Sequence, residues 1–206
     1  MNFDWLAAAE RLRAIAQTGL TYAEGRFDLA RYRELSSMAV DMLASLLGQP
    51  PSVLAERFEL EKGYPTPKVD VRTAVFREGR VLLVKEWLDG LWTMPGGWAD
   101  ETDAPSEAAA RECREESGYE VKIVRLIALK DRRRHAYQPR SLGGIYKVFF
   151  LGELTGGEAT VSDETTDVGF FPLDALPPLS LARTLPEDIE LAHRHALEPS
   201  LLPTFD

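Results

Sequence analysis

The sequence predicts an α/β fold, an α/β/α sandwich around a mixed β-sheet, preceded by a small N-terminal helical domain. Before about residue 60, apolar residues recur every three or four positions, as they do on helices. After residue 64, β-branched and apolar runs of strand length alternate with turn signals. A helix-like segment lies between these runs, which is typical of an α/β arrangement. We therefore expect a helical domain over 1–63 and an α/β domain over 64–206.

The N-terminal domain is predicted to contain two amphipathic helices. The first begins after Asp4, which can act as its N-cap, and is closed by Gly19. The second extends from about residue 28 to residue 47 and ends at Gly48-Gln49-Pro50-Pro51. Two such helices bury little core alone, so they must pack on the rest of the chain, on a second copy of the protein, or on both. A homodimer is therefore expected.

The α/β domain opens with a predicted β-hairpin. The runs KVDVRTAVF and RVLLVKEW are joined by Arg77-Glu78-Gly79. The segment APSEAAARECREESG predicts a helix with Gly118 as its stop signal, and a last helix is expected from about residue 186 to residue 196. The remaining strand-like segments are VKIVRLIALKD, GIYKVFFLGEL and VGFFPL.

Composition and charge narrow the functional classes. The chain has 206 residues, a formal net charge of −9 and a single cysteine, Cys113. The negative charge argues against binding of extended nucleic acid, which needs a basic surface. It allows a small phosphorylated substrate, because a bound divalent cation can supply positive charge. One cysteine permits no internal disulfide, which fits a cytoplasmic location.

No targeting or membrane segment is expected. The N-terminal residues MNFDWLAAAERLRAIAQ carry charges throughout and lack the continuous apolar core of a signal peptide. No stretch approaches the roughly 20 apolar residues of a membrane span.

Three carboxylates share one face of the predicted central helix. Glu112, Glu115 and Glu116 stand at positions i, i+3 and i+4, so their side chains project into one sector. Like charges at this spacing repel, and a hard cation such as Mg²⁺ or Mn²⁺ would compensate them. A solvated acidic face is the alternative. The preceding turn, Gly96-Gly97, lets backbone groups approach a metal or phosphate without an intervening side chain.

These residues resemble the Nudix box, G-x5-E-x7-R-E-U-x-E-E-x-G-U, in which U is a bulky apolar residue. The spacing matches throughout, but Asp103 replaces the first glutamate and Cys113 is small for its U position. A shorter acid keeps the charge and can help cap the helix, so a modest loss of rigidity is expected. The matching residues are Gly97, Asp103, Arg111, Glu112, Cys113, Glu115, Glu116, Gly118 and Tyr119.

The resemblance covers almost the whole chain and implies a fold and an activity. It points to a Nudix-type sandwich in a subgroup with a helical N-terminal extension, described as ADP-ribose or CDP-choline pyrophosphatases. Such enzymes hydrolyse nucleoside diphosphates linked to another moiety, X, and are metal-dependent. By this resemblance, Glu112, Glu115 and Glu116 would hold the ions, with a carbonyl from Gly96 or Gly97 completing the site. Arg111 would pair with nearby carboxylates and hold the helix against the loop.

A general base is also required. In relatives it is either a glutamate of the box or one on a loop before the last strand. Glu164, in the segment SDETTD, is the candidate for base or auxiliary ligand by position. A solvated acidic loop is an equal alternative.

Substrate selection is expected from residues outside the box. Asp131, Arg132 and His135 lie in a basic stretch between two strands, where a loop can reach the site. Arg72 and Lys85 lie on the hairpin strands and could contact phosphate. For each of these residues, a solvated surface position is the alternative.

Aromatic residues add further candidates. Trp87, Trp92 and Trp98 flank the glycine turn, where one could stack on a base and core packing is the default. Strand alternation would direct either Tyr146 or Lys147 toward the cleft, and we expect Tyr146 to contact the substrate.

Two other functions remain open at this point. A Nudix-fold module could sense such a ligand without cleaving it, although three glutamates in register argue against this. An RNA-end pyrophosphohydrolase is disfavoured by the acidic charge.

Overall fold

A computed structural model describes residues 3–206 of the chain. The described residues divide into two compact units between Thr66 and Pro67. The predicted boundary between residues 63 and 64 stays a prediction. Residues 1 and 2 of the segment examined for a signal peptide lie outside the described part. In that part, no helix is both long enough and apolar enough to cross a membrane.

The N-terminal unit consists of three helices: α1 (Trp5–Tyr22), α2 (Arg26–Leu47) and α3 (Pro51–Glu59). Asp4 caps α1 as predicted, because its Oδ1 accepts a hydrogen bond from the backbone N–H of Ala7 at 3.0 Å. The left-handed residue Gly48 (φ 63°) follows α2, as predicted.

Two predictions for the N-terminal unit are wrong. Gly19 does not end α1, which continues to Tyr22. It lies instead against the ring of Tyr32 with no room for a Cβ atom, so a glycine is needed for close helix packing. The prediction of two helices is also wrong, because a third helix, α3, begins at Pro51. Proline is well tolerated there because the first helical N–H has no intrahelical partner.

The C-terminal unit contains a seven-stranded mixed sheet. Strands β1 (Lys68–Arg77) and β2 (Arg80–Glu86) form the predicted hairpin, turning at Glu78 and Gly79 with positive φ. The chain order continues with β3 (Trp92–Thr93), α4 (Pro105–Ser117), β4 (Tyr119–Asp131), a 3₁₀ turn (Arg132–Arg134), β5 (Ile145–Gly157), β6 (Thr165–Pro172), α5 (Pro186–Leu197) and β7 (Thr204–Phe205).

The two hairpin strands separate beyond their turn, so another segment pairs with the edge of β1. The strand order is β3-β2-β1-β5-β4-β7, with β6 also paired to β2; β1 and β5 are parallel, as are β4 and β7. The two hairpin strands pair only next to their turn, at residues 76–77 and 80–81. Beyond that point β2 pairs with β6, and the segment 95–99 pairs with the edge of β1 instead.

Alternate side chains of the sheet face two helical layers, so the predicted α/β/α sandwich is confirmed. On β5, Val148 and Phe150 pack with Ala108 and Ala109 of α4. Phe149, between them, packs with Ile189 of α5 on the opposite face.

Candidate active site

The glycine turn lies tightly against β1. The N–H of Val71 donates to the carbonyl of Gly97 at 2.8 Å, and the N–H of Thr73 donates to the carbonyl of Pro95 at 2.9 Å. Gly96 has φ 144°, and a Cβ atom there would collide with the backbone of Val71 and Arg72. At Gly97 a Cβ atom would lie 2.7 Å from Oε2 of Glu112. Glycine is therefore required at position 96, where the turn meets the backbone of β1, whereas a side chain at position 97 would displace the Glu112 carboxylate.

Helix α4 presents the glutamates to this turn. It ends at Gly118 in the left-handed conformation (φ 75°), as predicted from the sequence. Asp103 does not cap its N-terminus, so that expectation is wrong. The N-cap position is Ala104, whose backbone N–H donates to Oε2 of Glu107 at 3.1 Å. Cys113 is fully buried against Val75 and Leu82, and burial raises the pKa of its thiol to about 12, so it is not a nucleophile.

Arg111 forms ion pairs with carboxylates of α4 and of the loop before it. Its Nε donates to Oδ2 of Asp103 at 3.0 Å, and its Nη1 lies 2.8 Å from Oε1 of Glu112 and 3.0 Å from Oε2 of Glu115. Asp100 is also within 3.4 Å of Nη2. The planar guanidinium thus holds the loop before α4 to two of the glutamates, a geometry that a lysine ammonium does not reproduce.

Glu116 is the most buried of the three glutamates, with 4% of its surface exposed. Its Oε2 accepts a hydrogen bond of 2.7 Å from the backbone N–H of Gly96. Burial raises the pKa of Glu116 to about 8, and the nearby charges of Glu86 and Glu112 add to this rise. The Arg72 charge and the hydrogen bond from Gly96 oppose it. Burial likewise raises the pKa of Glu112 above its usual range.

A cavity of about 770 Å³ opens over the glycine turn and α4. It brings together most of the residues selected from the sequence. Those that line it are Arg72, Gly96, Gly97, Arg111, Glu112, Glu115, Glu116, Arg132 and Glu164. Glu164 lies on the loop directly before β6, where its backbone carbonyl accepts from the N–H of Trp87 at 2.8 Å. The catalytic and binding roles of these residues stay predictions.

The other sequence-selected contacts lie outside this lining. Lys85 does not line the cavity, although its neighbour Glu86 does. Oδ1 of Asp131 accepts a hydrogen bond of 3.0 Å from the backbone N–H of Arg133 and so caps the 3₁₀ turn. Nε2 of His135 lies 3.1 Å from Oδ1 of Asp206. Tyr146 is 41% exposed.

Sequence reasoning missed several charged residues of the cavity wall, among them Asp70, Glu86 and Arg183. Asp70 accepts from Nε of Arg72 at 2.9 Å and lies 3.0 Å from Nζ of Lys147. Arg183 Nε lies 2.9 Å from Oε1 of Glu86. A charged residue within an apolar strand run, as in KVDVRTAVF, is the sequence signal that could have found Asp70. Arg183 has no such signal, because it reaches the site from a distant loop.

Arg72 is a fixed positive charge in this wall. It is 4% exposed, and its Nη1 also lies 3.2 Å from the carbonyl of Met94. Burial lowers the pKa of Arg72, but the Asp70 carboxylate outweighs this effect and raises the pKa above its ordinary value. The neighbouring Lys147 is fully buried, and burial lowers its pKa to about 8 despite the Asp70 charge.

The chemistry of these side chains fits a hard divalent cation. In residues 3–206, no group of three Asp, Glu, His or Cys side chains converges closely enough to hold an ion, and Arg111 contacts both Glu112 and Glu115. However, the wall offers carboxylate oxygens, the ligands that Mg²⁺ and Mn²⁺ prefer. Glu116 is also buried near two like charges, Glu86 and Glu112, and a cation relieves that repulsion.

The fold is that of the NUDIX family, to which this chain belongs. The family model, described as NUDIX domain, matches residues 66–194. A second model, described as UDP-X-like, N-terminal oligomerisation domain, matches residues 3–58. Dependence on a divalent metal is typical of Nudix hydrolases.

Three similar proteins cover much or all of the chain. A Bacillus subtilis protein provisionally named ADP-ribose pyrophosphatase is 40% identical over 202 residues, spanning 98% of this chain and 97% of its own length. A crystal structure of an ADP-ribose pyrophosphatase from Streptococcus suis is 39% identical, with a TM-score of 0.63, and covers 68% of this chain and 100% of its own. A crystal structure of a UDP-X diphosphatase is 31% identical, also with a TM-score of 0.63, and covers 98% of both chains.

Proposed function

We propose that this protein hydrolyses the pyrophosphate bond of nucleoside diphosphates linked to another moiety, with ADP-ribose as the first candidate substrate. The observation that carries the proposal is the meeting of Glu112, Glu115 and Glu116 with the Gly96–Gly97 turn in one cavity. The names of the nearly full-length relatives support the substrate class. CDP-choline and UDP-linked compounds belong to the same class.

The chain's own residues supply acidic ligands and a fixed cation. Glu112, Glu115 and Glu116 would hold Mg²⁺ or Mn²⁺, together with a carbonyl of the glycine turn. Such an ion, when bound, neutralises phosphate oxygens and lowers the pKa of a bound water molecule. Arg72, oriented by Asp70, offers a guanidinium for phosphate. Glu164, which lines the same cavity, would act as the general base or as an auxiliary ligand.

The proposal extends to the assembly and location of the protein. A homodimer formed through residues 1–63 is supported by the oligomerisation-domain match and by apolar side chains exposed in the N-terminal unit. A cytoplasmic location is supported by the free, buried Cys113.

A substrate panel tests the activity. The purified protein is incubated with ADP-ribose, CDP-choline or UDP-glucose and with Mg²⁺ or Mn²⁺, and the products are separated by chromatography. ADP-ribose and water should yield AMP and ribose 5-phosphate. No cleavage of any compound with either metal would refute the proposal.

Matched variants test the site. Glu115→Gln and Glu116→Gln should each lower kcat by orders of magnitude while the circular dichroism spectrum is preserved. Glu107→Gln is the control, because Glu107 lies in the first turn of the same helix, outside the cavity lining. Retained turnover in both of the first two variants would exclude the proposed metal site.

A further inference from the structure

The structure separates the three tryptophans near the glycine turn. Trp92 packs against Phe171 in the core, with ring centroids 4.6 Å apart. Trp87 is 69% exposed and lies outside the cavity lining. Trp98 is 49% exposed and lines the cavity. Among the described residues, Trp98 is the one aromatic side chain in that lining, so it offers a flat apolar surface inside a charged site.

The backbone holds Trp98 firmly in place. The hydrogen bonds from Val71 to Gly97 (2.8 Å) and from Ala99 to Val69 (3.0 Å) pair Trp98 directly with Asp70 across the edge of β1. In such a pair the two side chains share one face and lie close together. The indole is therefore next to Asp70, whose carboxylate orients Arg72.

The lining of the same cavity also contains an apolar strand residue and an unpaired hydroxyl group. Ile145 pairs with Lys68 on the other side of β1 and adds an apolar side chain to the lining. Ser141 lines the same cavity. Within the part of the chain that the structure describes, its buried Oγ atom has no hydrogen-bond partner. Buried hydroxyl groups normally have one, so this atom is suited to a polar group of a ligand.

We propose that Trp98 is the stacking platform for the nucleobase of the substrate. The inference rests on the proposed function, since it assigns one part of that substrate to one residue. A nucleobase has a π face that stacks on indole, and such stacking contributes about 1–3 kcal/mol per base. A sugar phosphate has no such face, and its charge is matched by Arg72. Trp98 thus selects nucleotides as a class without distinguishing strongly among bases.

Product binding tests the platform without requiring turnover. Isothermal titration calorimetry in Mg²⁺ compares AMP, which carries a base, with ribose 5-phosphate, which does not. For Trp98→Leu, the Kd of AMP should rise about 5- to 150-fold, the range that follows from the stacking energy. The Kd of ribose 5-phosphate should be unchanged. Trp98→Phe, which retains an aromatic face, should bind AMP within about threefold of the unmodified protein.

Trp87→Leu is the matched control, since it removes an exposed indole outside the cavity and should leave both Kd values unchanged. Circular dichroism checks that each variant is folded. An AMP Kd within twofold of normal in Trp98→Leu, an equal loss for ribose 5-phosphate, or no AMP binding by the unmodified protein would overturn the platform. Failure of the proposed function appears separately, as absence of cleavage in the substrate panel.

Discussion

Glu116 combines deep burial with acidic neighbours, which makes its ionisation costly when no cation is bound. Its pKa of about 8 in the folded protein lies above the ordinary value of 4.5. The folded state therefore holds a proton that the unfolded state releases between these two values. By linkage, the free energy of unfolding falls as the pH rises from 4.5 to 8.

The first prediction concerns this pH dependence. Glu116→Gln removes the titrating group and keeps an oxygen that can accept from Gly96. The free energy of unfolding of this variant should therefore rise relative to that of the unmodified protein as the pH increases. The difference should grow by at most about 1.4 kcal/mol per pH unit. Urea unfolding in EDTA between pH 5 and pH 8 measures it.

Glu115→Gln serves as the control for that experiment, because the Glu115 side chain is 49% exposed. Between pH 5 and pH 8, the stability difference from the unmodified protein should grow more for Glu116→Gln than for Glu115→Gln. A flat difference for Glu116→Gln would show that this carboxyl does not titrate in the window.

Arg111 supports the second residue-scale prediction. Arg111→Lys keeps the charge but loses the fork that joins Asp103, Glu112 and Glu115. Residues that orient metal ligands typically contribute 10–100-fold to metal affinity or activity. The Mg²⁺ concentration for half-maximal activity should therefore rise by about that factor, as measured by metal titration of ADP-ribose cleavage.

Arg114→Lys is the matched substitution for this experiment, on an exposed position of the same helix. Its metal requirement should equal that of the unmodified protein. An unchanged metal requirement in Arg111→Lys would mean that the guanidinium does not position the glutamates.

The glycine turn and β1 act as one structural element, because the site depends on their close contact. Gly90 and Gly96 both have positive φ, but an added Cβ atom meets nothing within 4 Å at Gly90 and collides with β1 at Gly96. Gly90→Ala should cost about 1 kcal/mol from backbone strain alone. Gly96→Ala should cost clearly more and should also lower the rate of cleavage, because it displaces the backbone N–H that donates to Glu116.

Urea unfolding and initial rates on the two alanine variants check this third prediction. Similar losses of stability in both variants would show that the turn can move away from β1 without cost.

For the whole molecule, apolar exposure in the N-terminal unit suggests a surface that another chain covers. Large apolar side chains are exposed there, namely Trp5 (60%), Tyr22 (67%), Phe27 (66%), Met38 (56%), Val53 (51%) and Leu60 (86%). Apolar side chains at this density are typical of subunit interfaces.

The fourth prediction is a dimer in solution. Light scattering at micromolar concentration should give twice the mass of one chain. Replacing Phe27, Met38 and Val53 together by serine should shift the mass toward that of a monomer, whereas Val161→Ser, at an exposed site in the C-terminal unit, should not. A monomeric unmodified protein would contradict the dimer.

Local signals were sufficient for much of this protein. The Asp4 cap, the Glu78–Gly79 turn and the Gly118 stop each depend on the conformation of a few neighbouring residues, and each is present as predicted. The spacing of Glu112, Glu115 and Glu116 likewise follows from helix geometry, so a shared acidic face could be predicted without coordinates.

Local signals failed where a distant segment decides the outcome. Gly19 is a helix breaker by propensity, yet α1 continues through it because Tyr32 packs against that position. Asp103 is predicted to help cap α4, but its carboxylate instead accepts a hydrogen bond from Arg111.

The cavity shows the same division between short-range and long-range information. Sequence spacing identified the acidic helix, but Asp70 and Trp98 became neighbours only when segment 95–99 paired with β1. Arg183 joined Glu86 from a loop nearly one hundred positions away. Helix periodicity depends on bonds between residues a few positions apart, so it can be read along the chain. Contacts between distant segments depend on the packing of the complete sheet, so the cavity and its nucleobase surface emerged only from the folded chain.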